Sequence, residues 1–505
     1  MVGKKLGLLF LLAVVLSFLT GYFAKEIMPA FFTGKPSETF DFLTDFLDEN
    51  YYYALDDKKI DQAYIDSLYA IVESYSRQHD DPYTRLYELP KTTTLSFDEY
   101  YVGMGIEVSL QDNQIVILEV NTQSDGFGRL LPGDIIIGVV NQGVDIYFDE
   151  LEDLSDMFSY LSPGNEAEKT VIIQTRDLVE ERVTIQIKTI LTPSVVVKDL
   201  NDSEIAYLKI NVFNAFFDDT LNPGTSYLFK EALTQLETSI LLQNPQTKTL
   251  IIDLRDNPGG ALTALHNQGT NQSVIPGIIQ DLIPRSLEKP IFSMIPRDES
   301  LAVHFNNTRL EKKPYEIKVL VNENSASASE VLAATLYTNG GYTVYGIPTF
   351  GKNVYQSSVS LFTYKGIEYG LTYTEGRWYY DGDKNVVDHP IPVERIEQSG
   401  YLSLNTPIYQ GELGIDSVSV ALSNYQKFLN IYFEDVIANP LRTDGYFDLE
   451  TKELLELYQI EQGLNVTGTL NRETAMSIYI FIQLARQEVV LDVQLQSLIE
   501  IIRNA

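Results

Sequence analysis

The pattern of apolar and polar residues changes several times along the chain, and each change predicts a different kind of structure. Residues 6–24 are almost uninterruptedly apolar, which predicts one long apolar helix. From residue 37 to about residue 88 apolar residues recur at every third or fourth position, as is typical of amphipathic helices. Residues 96–190 contain short β-type runs separated by turn residues, which predicts a β-rich domain.

The second half of the chain changes period again. Residues 192–397 alternate strand-like and helix-like segments, which favours a mixed sheet flanked by helices. The pattern weakens among the prolines of residues 269–314, where we expect a long irregular insertion or lid. Residues 410–483 are helical in pattern, and a further helix is predicted to about residue 502. The sequence therefore predicts a multi-domain α/β protein. We place the segments at 1–36, 37–94, 95–190, 191–400, 410–485 and 486–505.

The apolar segment at the start of the chain predicts a membrane anchor. Lys4 and Lys5 precede it, and about 19 apolar residues form about 28 Å of helix, enough to span a bilayer. A cleaved signal peptide is the alternative, but its apolar core is shorter, and Tyr22 and Phe23 occupy the region where cleavage would need small residues. We therefore predict an uncleaved transmembrane helix, with the rest of the chain extracytoplasmic.

Composition and charge exclude several classes of function. The 505 residues include 70 acidic and 37 basic side chains, a formal net charge of −33, which argues against a nucleic-acid partner. The chain has no cysteine, so it has no disulfide, no thiol nucleophile and no cysteine-based zinc site.

A serine and a lysine stand where they could act as a nucleophile and its base. Ser327 lies within S-A-S-A-S-E, Lys352 follows it by 25 residues, and Gln356 follows the lysine by four. A lysine can remove the proton of a serine when burial lowers the lysine pKa, and we expect Phe350 and Val354 to supply apolar surroundings. Gln356 could hold the amine without adding a negative charge.

Acyl transfer also requires N–H donors directed at the developing oxyanion. The N–H of Ala328, directly after the serine at a predicted helix start, is one candidate. The glycine turn in D-L-R-D-N-P-G-G offers a second, for which we choose Gly260.

Two other interpretations remain open at the level of sequence. His266, shortly after the glycine turn, is the only competing base and would make a Ser-His-Asp hydrolase. Alternatively, the serines of S-A-S-A-S-E only cap a helix, with Glu330 closing a capping box.

Three motifs in this order, D-L-R-D-N-P-G-G, S-A-S-A-S-E and P-T-F-G-K-N-V-Y-Q, resemble those of the carboxyl-terminal processing (tail-specific) serine peptidases. The resemblance implies a membrane-anchored endopeptidase with Ser327 as nucleophile, Lys352 as base and Gln356 as orienting partner. It implies no metal and no organic cofactor. It also implies that the helical arms of two copies can pair as a homodimer. Asn353 and Ile347 depart from the residues frequent in that family.

Two further segments resemble known modules. Gly103, Met104, Gly105 and Ile106, followed by L-P-G-D-I-I-I-G-V-V, resemble a PDZ domain. That resemblance implies that backbone N–H groups bind the carboxylate of a protein's carboxyl-terminal tail, which adds as an extra strand.

The segment at residues 441–474 resembles the three-helix peptidoglycan-binding domain. Its matching positions are Asp444, Gly445, Phe447, Thr451, Gln459, Gly463, Leu464, Gly468 and Thr474. Peptidoglycan is therefore a candidate partner, and the alternative is that this module only packs against the rest of the chain. A catalytically inactive PDZ and peptidoglycan-binding scaffold is the remaining alternative function.

Overall fold

The computed structural model describes most of the chain from residue 57 onward. The described ranges are 57–90, 99–111, 114–151, 154–162, 167–175, 178–215, 224–267, 276–286, 288–307, 309, 311–364, 367–404 and 411–505. The predicted membrane anchor at residues 6–24 and the beginning of the helical arm lie outside these residues. Within the described ranges, no helix is both long enough and apolar enough to cross a membrane.

The chain divides into two compact units. One comprises the described residues up to Pro90 together with those of Ser358–Tyr373, and the other comprises the described residues of Lys91–Ser357 and of Thr374–Ala505.

The first unit contains helix α1 (Asp57–Gln78) and strand β1 (Arg85–Pro90), which pairs antiparallel with residues 367–372. The helical pattern predicted α1, but the segment 37–94, which we interpret from sequence as a helical arm, also contains the strand β1. Asp81 ends the helical region, since its carboxylate accepts hydrogen bonds from the N–H of Tyr83 and the hydroxyl of Thr84. Strand β1 then pairs with a strand nearly 300 residues away in the sequence. Local periodicity does not reveal a pairing over such a distance.

Residues 99–191 of the second unit form the predicted β-rich domain. Strands β3, β4, β5, β7 and β8 lie side by side in that order, β6 pairs with β5, and β2 pairs with β9 in a separate ribbon. The elements are β2 (Tyr100–Gly103), β3 (Ile106–Gln111), β4 (Gln114–Val120), β5 (Ile135–Asn141), β6 (Val144–Tyr147), α2 (Leu154–Leu161), β7 (Glu168–Gln174), β8 (Glu180–Gln186) and β9 (Lys188–Leu191). Alternate residues of β4 and β7 are buried, which gives the domain its own core.

The central domain is built on a six-stranded sheet in the order β10, β11, β12, β15, β16, β19, parallel except for β10. Helices α3 to α6 cover one face, where the largest apolar cluster lies. The elements are β10 (Val195–Lys198), β11 (Ile205–Ile210), α3 (Gly224–Leu236), β12 (Thr249–Asp253), α4 (Leu262–Leu265), α5 (Ile278–Leu282), β15 (Glu316–Val321), α6 (Ala328–Thr338), β16 (Thr343–Gly346) and β19 (Glu394–Arg395). This is the alternation that the sequence predicts.

A second sheet of this unit corrects the prediction of an irregular insertion at residues 269–314. Its described part contains α5 and the strands β13 (Phe292–Pro296) and β14 (Val303–Phe305). Strand β13 pairs with residues 376–380 of the long strand β18 (Ile367–Tyr380), which follows β17 (Val354–Tyr364) in the chain. The prolines of this segment lie mostly in the connections between these elements, so the weak pattern hid two short strands.

The carboxyl-terminal part contains the predicted three helices and one more. These are α7 (Val420–Tyr432), α8 (Leu449–Glu461), α9 (Arg472–Ala485) and α10 (Val493–Arg503). Asp448 caps α8 and Asn471 caps α9 through their side-chain oxygens. The aromatic core of helices α7 to α9 includes Leu131 of the β-rich domain.

Candidate active site

The three serines of S-A-S-A-S-E have different surroundings. The hydroxyl of Ser325 donates to the carbonyl oxygen of Leu254 at 2.8 Å, and that of Ser329 donates to the carbonyl oxygen of Asn257 at 2.9 Å. Both residues are fully buried, and both tie the start of α6 to the loop after β12. Ser327 is half-buried and lines a cavity. The outer serines therefore serve the fold, and only the middle hydroxyl faces open space.

The backbone of Ser327 is strained. Its φ is +56° and its ψ is −115°, in a region that side chains with a Cβ rarely adopt. Such conformations cost on the order of 1–3 kcal/mol and persist where neighbouring contacts impose them. The bonds of Ser325 and Ser329 on either side are contacts of this kind.

The cavity has a volume of about 360 Å³ and contains three of the predicted site residues. Ser327, Gly260 and Gln356 all line it. The remaining walls are mostly apolar and come from α4, β13, β14 and β17: Ala261, Leu262, Thr263, His266, Met294, Phe305 and Tyr355. The site is therefore a partly apolar cleft with a hydroxyl at one side, which suits an extended peptide with an apolar side chain.

The glycine turn passes directly against the serine. A Cβ on Gly259 would lie 2.9 Å from the Cβ of Ser327, and one on Gly260 would lie 2.3 Å from the carbonyl oxygen of Phe213. Both glycines have φ beyond +100°, so the turn excludes other residues by space and by conformation. Among the described residues, no acceptor takes the N–H of Gly260 or of Ala328. Both predicted oxyanion donors are thus available to a ligand.

Lys352 contacts its predicted partner. Its Nζ donates to Oε1 of Gln356 at 2.8 Å. Its carbonyl oxygen accepts a 2.8 Å hydrogen bond from the indole N–H of Trp378, a buried residue of β18. The expectation that Phe350 shields the lysine was wrong, because 59% of Phe350 is exposed to solvent. Instead, Trp378 of β18 holds the lysine loop, since its backbone N–H also donates to the carbonyl oxygen of Asn353 at 3.0 Å.

Glu330 joins the serine loop to the lysine loop. Its Oε2 accepts from the backbone N–H of Ser327 at 2.9 Å and from that of Lys352 at 2.8 Å. Its Oε1 accepts from Thr349 Oγ1 at 2.8 Å and from the N–H of Gly351 at 2.6 Å. Burial raises the pKa of Glu330, and these four donors oppose that shift by stabilising the carboxylate.

Sequence reasoning recognised only part of the role of Glu330. A glutamate three residues after a serine suggested a capping box, and its bond to the N–H of Ser327 is half of that motif. The other three donors come from residues 349–352, which local sequence does not connect to it. Trp378 was also missed, although the single tryptophan of the chain was a visible signal.

His266, the competing base, also lines the cavity. Its Nε2 lies 2.8 Å from the carbonyl oxygen of Asn306, and its ring packs edge-on against Phe305 and Phe292. Burial lowers its pKa. Among the described residues no carboxylate contacts the ring, so the third member of a Ser-His-Asp triad is missing there.

The residues predicted to bind a peptide carboxylate lie in the β-rich domain. Gly103, Met104 and Gly105 are buried between β2 and β3, and Ile106 begins β3. Gly105 has φ +70°, and a Cβ there would lie 2.8 Å from the Cβ of Ser124. The hydroxyl of Ser124 donates to the carbonyl oxygen of Met104, which fixes the loop.

The central domain is similar in sequence to a known protein family. Residues 204–392 match the model of Peptidase family S41. These residues form an S41 peptidase domain. They include the glycine turn, Ser327, Lys352 and Gln356, so every residue predicted for the chemistry lies within the S41 domain.

Whole-chain relatives extend beyond the S41 domain. The chain is 25% identical over 432 residues to the carboxy-terminal processing protease CtpB of Bacillus subtilis, covering 83% of this chain and 80% of that protein. It is 26% identical over 454 residues to a probable CtpA-like serine protease of Staphylococcus saprophyticus, covering 85% of this chain and 78% of that protein. A solved structure of a photosystem II D1 C-terminal processing protease is 18% identical, with a TM-score of 0.38, and covers 65% of this chain and 81% of that one.

Proposed function

We propose that this protein is a serine endopeptidase that cleaves proteins near their carboxyl-terminal tails, with Ser327 as nucleophile and Lys352 as base. One observation carries the proposal. Ser327, Gly260 and Gln356 line one cavity, and Lys352 donates to Gln356, while the hydroxyls of Ser325 and Ser329 donate to backbone carbonyl oxygens.

The chemistry follows from these positions. The uncharged amine of Lys352 takes the proton of Ser327 as Oγ attacks the peptide carbonyl carbon. The N–H groups of Gly260 and Ala328 stabilise the oxyanion of the tetrahedral intermediate. The ammonium of Lys352 then gives its proton to the leaving amine, and a water molecule hydrolyses the acyl-enzyme by the same route. Gln356 orients the amine and, being neutral, does not favour its charged form.

Substrate selection is assigned in this proposal to the β-rich domain. Strand β3 stands at one end of its sheet, so an extended peptide can pair with it beyond Ile106. In this proposal the backbone N–H groups of the buried turn at Gly103 to Gly105, directly before β3, bind the terminal carboxylate of such a peptide. Peptides with a free terminal carboxylate should therefore be cleaved with a lower KM than the same peptides amidated at that end. Equal KM values would remove this part of the proposal.

The proposal also places the enzyme at the cell envelope, anchored by residues 6–24 with the remainder outside, where peptidoglycan is a candidate partner. The support is the length and charge pattern of that segment and the motif at residues 441–474. Membrane fractionation of the full chain and of a variant lacking residues 1–24, with sacculus pull-down of each, tests both points.

The decisive experiment compares three variants on one protein substrate with an unstructured carboxyl-terminal tail. Ser327→Ala and Lys352→Ala should abolish cleavage, while His266→Ala should retain it. Ser358→Ala, an exposed serine, is the matched control. Loss of activity in His266→Ala alone would establish the triad instead. If the wild type does not cleave, the chain is a scaffold. Equal labelling of Ser327 by a covalent serine probe with and without Lys352 would contradict the dyad.

A further inference from the structure

The last helix of the chain covers the second face of the central sheet. Its buried residues Leu495, Leu498 and Ile499 pack against a separate apolar cluster on the strands, formed by Ile205, Tyr207, Ile251 and Leu320. Helix α10 begins about 100 residues after the end of the S41 match at residue 392. Without it, this face of a mostly parallel sheet would be exposed, which such sheets rarely tolerate.

A buried ion-pair network connects this helix to the loop after β12. The guanidinium of Arg255 binds Asp253 through Nε at 3.0 and 3.1 Å and through Nη2 at 2.6 Å. Its other edge binds Asp492, with Nη1 at 3.0 Å and Nη2 at 2.6 Å, and Nη1 also donates to Oε1 of Gln494 at 3.0 Å. All four residues are buried, so each charge depends on its partners.

Asp492 is itself fixed at the start of α10. Its Oδ1 accepts from the N–H of Leu495 at 3.1 Å, which makes it the helix N-cap. Gln494 donates its side-chain amide to the carbonyl oxygen of Ile396 at 2.6 Å, and its N–H to Gln398 at 2.8 Å. The carboxylate that meets Arg255 is therefore held by the helix and by the end of the central domain.

The path from Arg255 to the cavity is short. Asp256 follows with φ +60°. The next residue, Asn257, forms hydrogen bonds with three other parts of the domain. Its Nδ2 donates to the carbonyl oxygen of Ile210 at 2.9 Å, its Oδ1 accepts from the N–H of Gly259 at 2.9 Å, and its carbonyl oxygen accepts from Ser329. A tilt of the backbone at Arg255 is thus transmitted to the glycine turn and to the start of α6.

We propose that Asp492 is a positioning residue of the peptidase site, acting through Arg255 to hold the turn that carries Gly260. The inference rests on the proposed function for its catalytic consequence. Helix α10 is then an integral part of the peptidase domain. Asp492 touches neither substrate nor the reacting atoms, and its role is to fix the direction of the Gly260 N–H.

The test uses the full-length chain with Asp492→Asn and the control Glu500→Gln, an exposed acid on the same helix. Asparagine keeps one acceptor but places an amide donor against the guanidinium. We expect Asp492→Asn to lower kcat by at least about tenfold, after active sites are counted with a serine probe, with KM changed less than about twofold. Asp492→Glu should recover part of kcat, because it restores the charge. The control should match the wild type in both constants.

Hydrogen exchange separates this inference from the proposed function. Peptides covering residues 255–265 should exchange faster in Asp492→Asn than in the wild type, while those covering α9 should not. If the wild type does not cleave but the exchange changes as expected, the positioning role stands and the peptidase proposal fails. If the wild type cleaves and Asp492→Asn has unchanged kcat and exchange, the positioning role is overturned. If Asp492→Asn does not fold, kcat and hydrogen exchange are measured instead on Gln494→Ala, which removes an acceptor of Arg255 and the donor to the carbonyl oxygen of Ile396, and the same outcomes decide.

Discussion

Ser327 and Lys352 donate their backbone N–H groups to the same oxygen atom, Oε2 of Glu330, at 2.9 and 2.8 Å. The two loops that carry the proposed nucleophile and base are therefore joined through their main chains, independently of the conformations of the Ser327 and Lys352 side chains. A carboxylate can accept from all four of its donors at once, whereas a neutral side chain of the same shape cannot. We therefore expect the positions of both loops to depend on the negative charge of Glu330.

Replacing Glu330 by glutamine should separate the two loops. The amide has one acceptor oxygen, and its NH₂ group would face N–H donors, leaving buried groups unpaired at a cost of about 3 kcal/mol in the free energy of unfolding. We also expect kcat to fall at least about a hundredfold, because the base would be displaced from the serine. Urea unfolding and peptide cleavage measure the two effects. Glu323→Gln, an exposed change in the same segment, should alter neither, and a normal kcat in Glu330→Gln would refute the coupling.

Gln356→Glu should move the pH dependence of cleavage. A carboxylate at the position of Oε1, 2.8 Å from Nζ of Lys352, favours the charged ammonium, so a higher pH is needed to generate the base. We expect kcat/KM at neutral pH to fall at least about tenfold and to recover toward alkaline pH. Gln356→Met, which removes the hydrogen bond without adding charge, is the control and should lower the rate without moving the profile. An unshifted profile in Gln356→Glu would argue against lysine as the base.

The positions of the candidate residues were more accessible from sequence than the contacts that hold them. Only one helix and one strand lie between Ser327 and Lys352, and Gln356 follows four residues later, so a short motif includes all three. Glu330 and Asp492 act on partners whose positions depend on the finished fold. Asp492 meets Arg255 across more than 200 residues, and neither periodicity nor a short motif carries such information.

The motif at residues 441–474 illustrates the reverse case, in which several residues of a short sequence motif have a visible role in the fold. The side chain of Gln459 is buried and bonds Thr467, Thr469 and Thr474, and it also accepts from the N–H of Gly468. Phe447 lies in the core. These buried positions of the motif therefore serve the packing of the three helices.

His266 should make stability depend on pH. Because burial lowers its pKa, the folded chain binds fewer protons than the unfolded chain between that lowered pKa and the ordinary value of 6.5. The free energy of unfolding should therefore rise with pH through this window and fall as the solution is acidified below 6.5. His266→Gln keeps a donor for the carbonyl oxygen of Asn306 and should flatten this part of the curve. Denaturant unfolding at several pH values between 5 and 7 measures both proteins, and parallel curves would contradict the assignment.

Arg472 should hold the carboxyl-terminal helices to the β-rich domain. Its Nη1 and Nη2 bind the two oxygens of Asp134 at 3.0 and 3.1 Å, and only 2% of the Asp134 side chain is exposed. Arg472→Ala leaves that buried carboxylate with the N–H of Leu131 as its remaining partner, so we expect a loss of about 3 kcal/mol. Arg442, which binds Asp444 at the surface, is the matched control: Arg442→Ala should destabilise the fold far less, because solvent screens this exposed pair. Phe127 still packs on Tyr479 in this variant, so we expect limited proteolysis of Arg472→Ala to be faster than that of the wild type while the two parts stay in contact. Equal stability losses in the two variants would mean that Asp134 relaxes to solvent and that the apolar contacts alone join these domains.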